Sequence, residues 1–121
     1  MSVVIDIRYE GDLHCRAIHG PSGMGLTTDA PVDNGGRGDA FSPTDLVATA
    51  LGACMLTLMG LFAKNNNLDI EGTTVRVVKD MVADPVRRIG SLAVTITLPA
   101  GKEKPASRRA DIRGIRIPRF Y

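Results

Sequence analysis

Residues 41–64 read FSPTDLVATALGACMLTLMGLFAK, an apolar run opened by a serine-proline pair and holding a single cysteine, Cys54, near its middle. The opening has the form of a helix start. Ser42 fits the N-cap, Pro43 the first helical position, and Asp45, three residues after the cap, can return a bond to it. From Leu46 to Ala63 the only side chains that are neither apolar nor glycine are Thr49 and Thr57. A helix with no polar stripe is buried on nearly all sides or lies in a membrane. These 18 residues reach only the lower limit for crossing a bilayer. Gly52, Gly60, the threonines and several alanines lower the hydrophobicity further, and strand-like segments lie close on both sides. The expectation is a core helix wrapped by sheet and by a second subunit, with no membrane association. Lys64 followed by Asn65, Asn66 and Asn67 closes it, placing a cation at the negative end and residues that tolerate left-handed backbone beyond it.

Outward from the helix, the pattern changes to a period of two. Upstream, VVIDIRY and LHCRAIHG alternate about a Glu10-Gly11-Asp12 turn, and GMGLTTDA follows Pro21-Ser22-Gly23, which together predict a three-stranded antiparallel meander. Residues 30–41, APVDNGGRGDAF, are dense in turn formers and read as an irregular loop without strand or helix. Downstream, TTVRVVKDMV and RRIGSLAVTITL predict two long strands joined through Ala83-Asp84-Pro85, and Ile112, Ile115 and Ile117 suggest a short terminal strand. No internal repeat or low-complexity segment is present.

The chain has 121 residues, enough for one domain, 1–121, and small domains often gain burial from a partner subunit. Charge is uneven. Residues 1–100 hold 8 Lys/Arg against 11 Asp/Glu, while residues 101–121 hold 7 against 2. A basic tail can meet phosphate, but three Phe, two Tyr and no Trp leave little for base stacking, so no nucleic-acid partner is expected. The start, MSVVIDIRYEGDLHC, lacks a basic region followed by a long apolar one, which points to the cytoplasm. There the two cysteines, Cys15 and Cys54, are expected as thiols, and any disulfide between them as transient.

Cys54 has Ala50, Leu51 and Leu58 one turn away, and apolar neighbours disfavour a thiolate. It is either a small buried hydrophobe or a nucleophile whose charge is stabilised from outside its own helix. An arginine could do this by charge-assisted bonds to sulfur and to a peroxide oxygen. Arg16, beside Cys15, and Arg37, in the glycine-rich loop before the helix, are the candidates, with a solvated surface position the plain alternative for each. His14 and His19 are five apart in a strand and point to opposite faces, so they form no ligand pair; no metal or cofactor signature is present.

The order of elements, with Ser42-Pro43-Thr44-Asp45-Leu46 about ten residues ahead of Leu51-Gly52-Ala53-Cys54-Met55, resembles the OsmC/Ohr family of osmotically induced and organic-hydroperoxide-resistance proteins. The likeness extends through HGPSG and TDAPVDNGGRGDAFSPTDLVATALGACM to the two later strands. It implies an α+β fold in which two subunits intertwine, antiparallel sheets wrapping a buried central helix. It also implies an oxidative-stress function: Cys54 attacks a small-molecule hydroperoxide, becomes a sulfenic acid, and is restored by a dithiol or low-molecular-weight thiol reductant. On this pattern Cys54, with Arg16 or Arg37 as helper, is catalytic, Ser42 and Asp45 cap the helix near the site, and the alternative is a non-catalytic relative that binds an apolar ligand or senses oxidation. The sequence departs from the pattern twice. Thr44 stands where organic-hydroperoxide members carry the glutamate that holds the arginine, and PAGKEKPASRRADIRGIRIPRFY lacks the usual Cys-Pro-Val segment with its second thiol. Cys15 is the remaining candidate for a resolving thiol, subject to the close Cα approach a disulfide demands.

Overall fold

The fold was described from a computed structural model, in which residues 1–99 are described. It is mixed α+β. The chain divides into two compact units, Met1–Val47 and a second that begins at Ala48.

The first unit is the predicted meander. Strands β1 (Ile5–Tyr9), β2 (His14–His19) and β3 (Gly25–Asp29) pair antiparallel in the order β1-β2-β3. Their register places Tyr9 opposite Cys15, and His14 opposite Asp29. Because successive side chains alternate between faces, Ile5, Ile7, Tyr9 and Cys15 share one face, and Arg8, His14, Arg16 and Asp29 the other. The apolar positions of β1 stay open to solvent, with Ile7 68% and Tyr9 64% exposed.

Residues 30–41 depart from the expected loop in one respect: Val32–Asn34 form a turn of 3-10 helix. Pro31 starts it in extended backbone, and its carbonyl accepts from the amides of Asn34 at 2.9 Å and Gly36 at 3.0 Å. The loop then doubles back, the Gly38 amide donating to the Ala30 carbonyl at 3.2 Å.

Helix α1 runs Pro43–Asn65 and begins where the cap residues place it. The Asp45 amide donates to Ser42 Oγ at 3.1 Å, and the Ser42 amide donates to Asp45 Oδ2 at 2.9 Å, so two amides at the helix start are satisfied reciprocally. Ser42 itself is buried. Ser42→Ala is expected to cost about 1 kcal/mol, lowering the melting temperature by roughly 4 °C in a far-UV circular dichroism melt. An unchanged midpoint would count against the capping box as a stabilising element.

In the second unit, β4 (Thr74–Val82) and β5 (Arg88–Thr97) form the predicted hairpin. Along β4 half-buried and exposed residues alternate. The half-buried set includes Val75 and Val77, and both lie against the helix at Gly52: a Cβ built there would stand 3.0 Å from Val77 Cγ2 and 3.2 Å from Val75 Cγ1. Glycine therefore lets backbone and sheet approach closely. The helix is long and apolar enough to cross a bilayer by length and composition, but this seat on β4 is that of a helix packed on a sheet.

Burial of the helix differs from the all-round burial its sequence predicts. Within one chain only Ala48, Gly52, Met55 and Ala63 are buried, a narrow stripe, while Leu61 is 55% and Phe62 64% exposed. A two-stranded hairpin has one inner face and can cover only one side of a helix. The suggested strand around Ile112, Ile115 and Ile117 lies outside the described residues.

Candidate functional site

Cys54 lies mid-helix, half-buried, and carries a free thiol. It is next to buried Met55 and exposed Ala53, at the margin of the packed stripe. Cys54 is thus neither fully buried nor fully exposed within one chain.

The five other sequence candidates lie in the first unit. Cys15, also a free thiol and half-buried, is on β2 between Tyr9 of β1 and Thr28 of β3. Arg16 is exposed on the opposite face, directly across from Arg8, and makes no ion pair among the described residues. It borders a shallow groove with Asp6, Arg8, Glu10 and Ile18. Ser42 and Asp45 are engaged in the cap.

Arg37 is held differently. Its Nη2 lies 3.6 Å from Oδ1 of Asp29, a carboxylate only 1% exposed. The same Oδ1 is 2.6 Å from His14 Nδ1. Because a carboxylate accepts, Nδ1 carries the proton and donates to it. His14 Nε2 then faces Glu10 Oε1 at 3.5 Å. Glu10, His14, Asp29 and Arg37 thus form one chain of contacts running from the β1–β2 turn to the glycine-rich loop. The Asp29 amide donates to the Phe41 carbonyl at 3.1 Å, which ties the end of β3 to the residue preceding the helix cap.

Sequence reasoning singled out Arg37 but passed over Asp29, and weighed His14 as a metal ligand or as the base of a Cys-His pair without support for either. The available signal was the hairpin register: pairing β2 with β3 about Pro21-Ser22-Gly23 sets His14 against Asp29, the lone carboxylate at the end of a strand that otherwise holds Gly, Leu and Thr. Among the described residues no group of His, Cys, Asp and Glu could hold a metal ion.

A family model described as OsmC-like protein matches residues 36–112, a span that takes in the second half of the glycine-rich loop, the helix and both later strands. The chain belongs to the OsmC-like protein family. Among solved structures, this OsmC-like protein is 51% identical to one from Psychrobacter arcticus 273-4 described as an osmotic stress induced and detoxification response protein. That match covers 78% of this chain and 68% of the other with a TM-score of 0.74. A protein from Legionella pneumophila described as the organic hydroperoxide resistance protein OsmC is 18% identical, covering 79% of this chain and 68% of that one at a TM-score of 0.59, a likeness of fold. No curated protein matches the sequence.

Proposed function

We propose that this OsmC-like protein is a cytoplasmic, homodimeric thiol peroxidase that reduces organic hydroperoxides through Cys54. The observation that carries the reading is the half-buried free thiol in mid-helix, inside the segment that matches the family. The Legionella pneumophila protein of the same fold is described as an organic hydroperoxide resistance protein, which agrees with it.

In the proposed reaction the Cys54 thiolate attacks the terminal oxygen of ROOH. An S–O bond forms, the O–O bond breaks, and the alkoxide leaves with a proton as ROH, giving a sulfenic acid. A thiol reductant then attacks that sulfur and displaces water, and a second thiol releases Cys54 from the mixed disulfide. Developing charge on the departing oxygen calls for a fixed cation, and Arg37 is the better of the two candidates because a buried carboxylate holds it while Arg16 is solvated. The chemistry requires no cofactor, metal, nucleic acid or membrane.

The dimer part of the proposal rests on apolar surface left open in one chain: Ile5, Ile7 and Tyr9 on β1, and Leu61 and Phe62 on the helix. Sedimentation equilibrium should give about twice the 12.9 kDa chain mass. A monomer at micromolar concentration would count against it.

The direct test of the chemistry is mass spectrometry after a stoichiometric dose of cumene hydroperoxide, with a sulfenic-acid trap present. The expected adduct is on Cys54, and Cys15→Ser shows whether a Cys15–Cys54 disulfide follows. Cys54 unmodified in the folded protein would sink the peroxidase reading and favour the non-catalytic one.

A further inference from the structure

We propose that the sheet face carrying Arg8 and Arg16 is a binding site for a small monocarboxylate with an apolar body, its carboxylate held between the two guanidinium groups. The site lies wholly within the first unit and is independent of the reading of Cys54 given above.

Arg8 and Arg16 stand directly opposite each other where β1 pairs with β2. Like charges facing each other across a strand pair oppose the pairing. Both side chains are exposed, and among the described residues neither guanidinium has an ion pair or a hydrogen bond. Asp6 and Glu10 flank Arg8 on the same face, yet neither neutralises it: Asp6 has no ion pair among the described residues, and Glu10 faces His14 Nε2 at 3.5 Å. Arg16 leans away from Arg8. Its Nη2 lies 3.5 Å from the point that a Cβ on Gly25 of β3 would occupy, so the absence of a side chain there gives the guanidinium room over the neighbouring strand. The two cations are splayed about a groove of about 450 Å³, bordered by Asp6, Ile7, Arg8, Glu10, Arg16 and Ile18. That volume is in the range of small-molecule sites.

The lining selects the ligand. A guanidinium presents parallel N–H donors that fit a carboxylate or a phosphate through two bonds. Asp6 and Glu10 discriminate between these anions. Placed on both sides of Arg8, they repel the second charge of a phosphate dianion and the extended charge of a polyanion, and leave a single carboxylate as the better match. Ile18, half-buried on the same face as Arg16, supplies apolar surface for the rest of the molecule.

The test is a titration of the full chain with sodium benzoate at constant ionic strength, with chloride as the balancing anion, followed by amide and arginine Nε signals in proton–nitrogen NMR. Saturating shifts are expected at Arg8, Arg16 and Ile18, and inorganic phosphate near neutral pH should bind about fivefold more weakly. Arg8→Gln and Arg16→Gln should each weaken benzoate binding about tenfold, since each removes half of the clamp. Asp6→Asn should tighten phosphate binding several-fold and change benzoate binding less. Both arginine variants should melt no lower than wild type, because each removes one of two facing like charges. If circular dichroism shows either to be unfolded, the corresponding Arg→Lys variant, which keeps the charge and loses the two-bond fork, takes its place and should weaken binding several-fold. Shifts still linear at about 50 mM benzoate, or binding unchanged in the arginine variants, overturn the proposal. Phosphate bound as tightly as benzoate overturns the choice of a carboxylate, and the proposal with it.

Discussion

Cys54→Ser should abolish thiol-dependent hydroperoxide consumption, with a fall of roughly three orders of magnitude or more to the uncatalysed background. The size follows from the chemistry. An alcohol is a far weaker acid than a thiol and forms no sulfenic acid, so the substitution removes the S–O bond-forming step and leaves substrate binding in place. Serine is close in size to cysteine, and the site is half-buried at the edge of the packed stripe, so stability should change little. Peroxide assays with dithiothreitol and a thermal melt on the same preparation separate the two effects. Residual activity within tenfold of wild type would mean that another group carries the reaction, and Cys15→Ser in the same assay identifies it if that group is the second thiol.

Gly36→Ala should be the most destabilising single-methyl change in the first unit, at about 3 kcal/mol or more. A Cβ at Gly36 would collide with the Ala30 backbone, at its carbonyl oxygen and carbonyl carbon. Neither can move freely. Ala30 follows β3 directly, its amide donates to the Leu13 carbonyl at 3.1 Å, and its own carbonyl accepts from Gly38. The added methyl must therefore push the loop outward, carrying Arg37 from Asp29. Urea denaturation measures the stability loss. A stability within 1 kcal/mol of wild type would show that the loop does not depend on the close approach at Ala30.

Both expectations depend on features that differ in how far the linear sequence reveals them. The elements themselves were largely readable. The helix start needs only Ser42, Pro43 and Asp45, residues within one turn, and the two reciprocal bonds form as that spacing implies. The five described strands follow from alternation, which is a property of neighbouring residues. The 3-10 turn at Val32–Asn34 was missed because its bonds are made by ordinary turn residues that also populate irregular loops. The family, too, was legible, since its motif is carried by residues close together around Cys54.

The site was legible only in part. Cys54 stood out because it is the one potential nucleophile besides two threonines in an apolar run, and Arg37 because it interrupts a run of glycines. Asp29 did not stand out, since nothing local distinguishes it from any aspartate before a loop. Its burial and its two partners arise from residues 15 positions back and 8 positions ahead, brought to one point by strand pairing and by the loop's return on Ala30. The sequence by itself determined where the chain turns, alternates and becomes helical, because those preferences act over a few residues. Only the tertiary structure decided which carboxylate lost its water, which arginine it holds and how much of the helix one hairpin can cover, because burial and ion pairing depend on groups distant in the chain that folding brings within a few ångströms of each other.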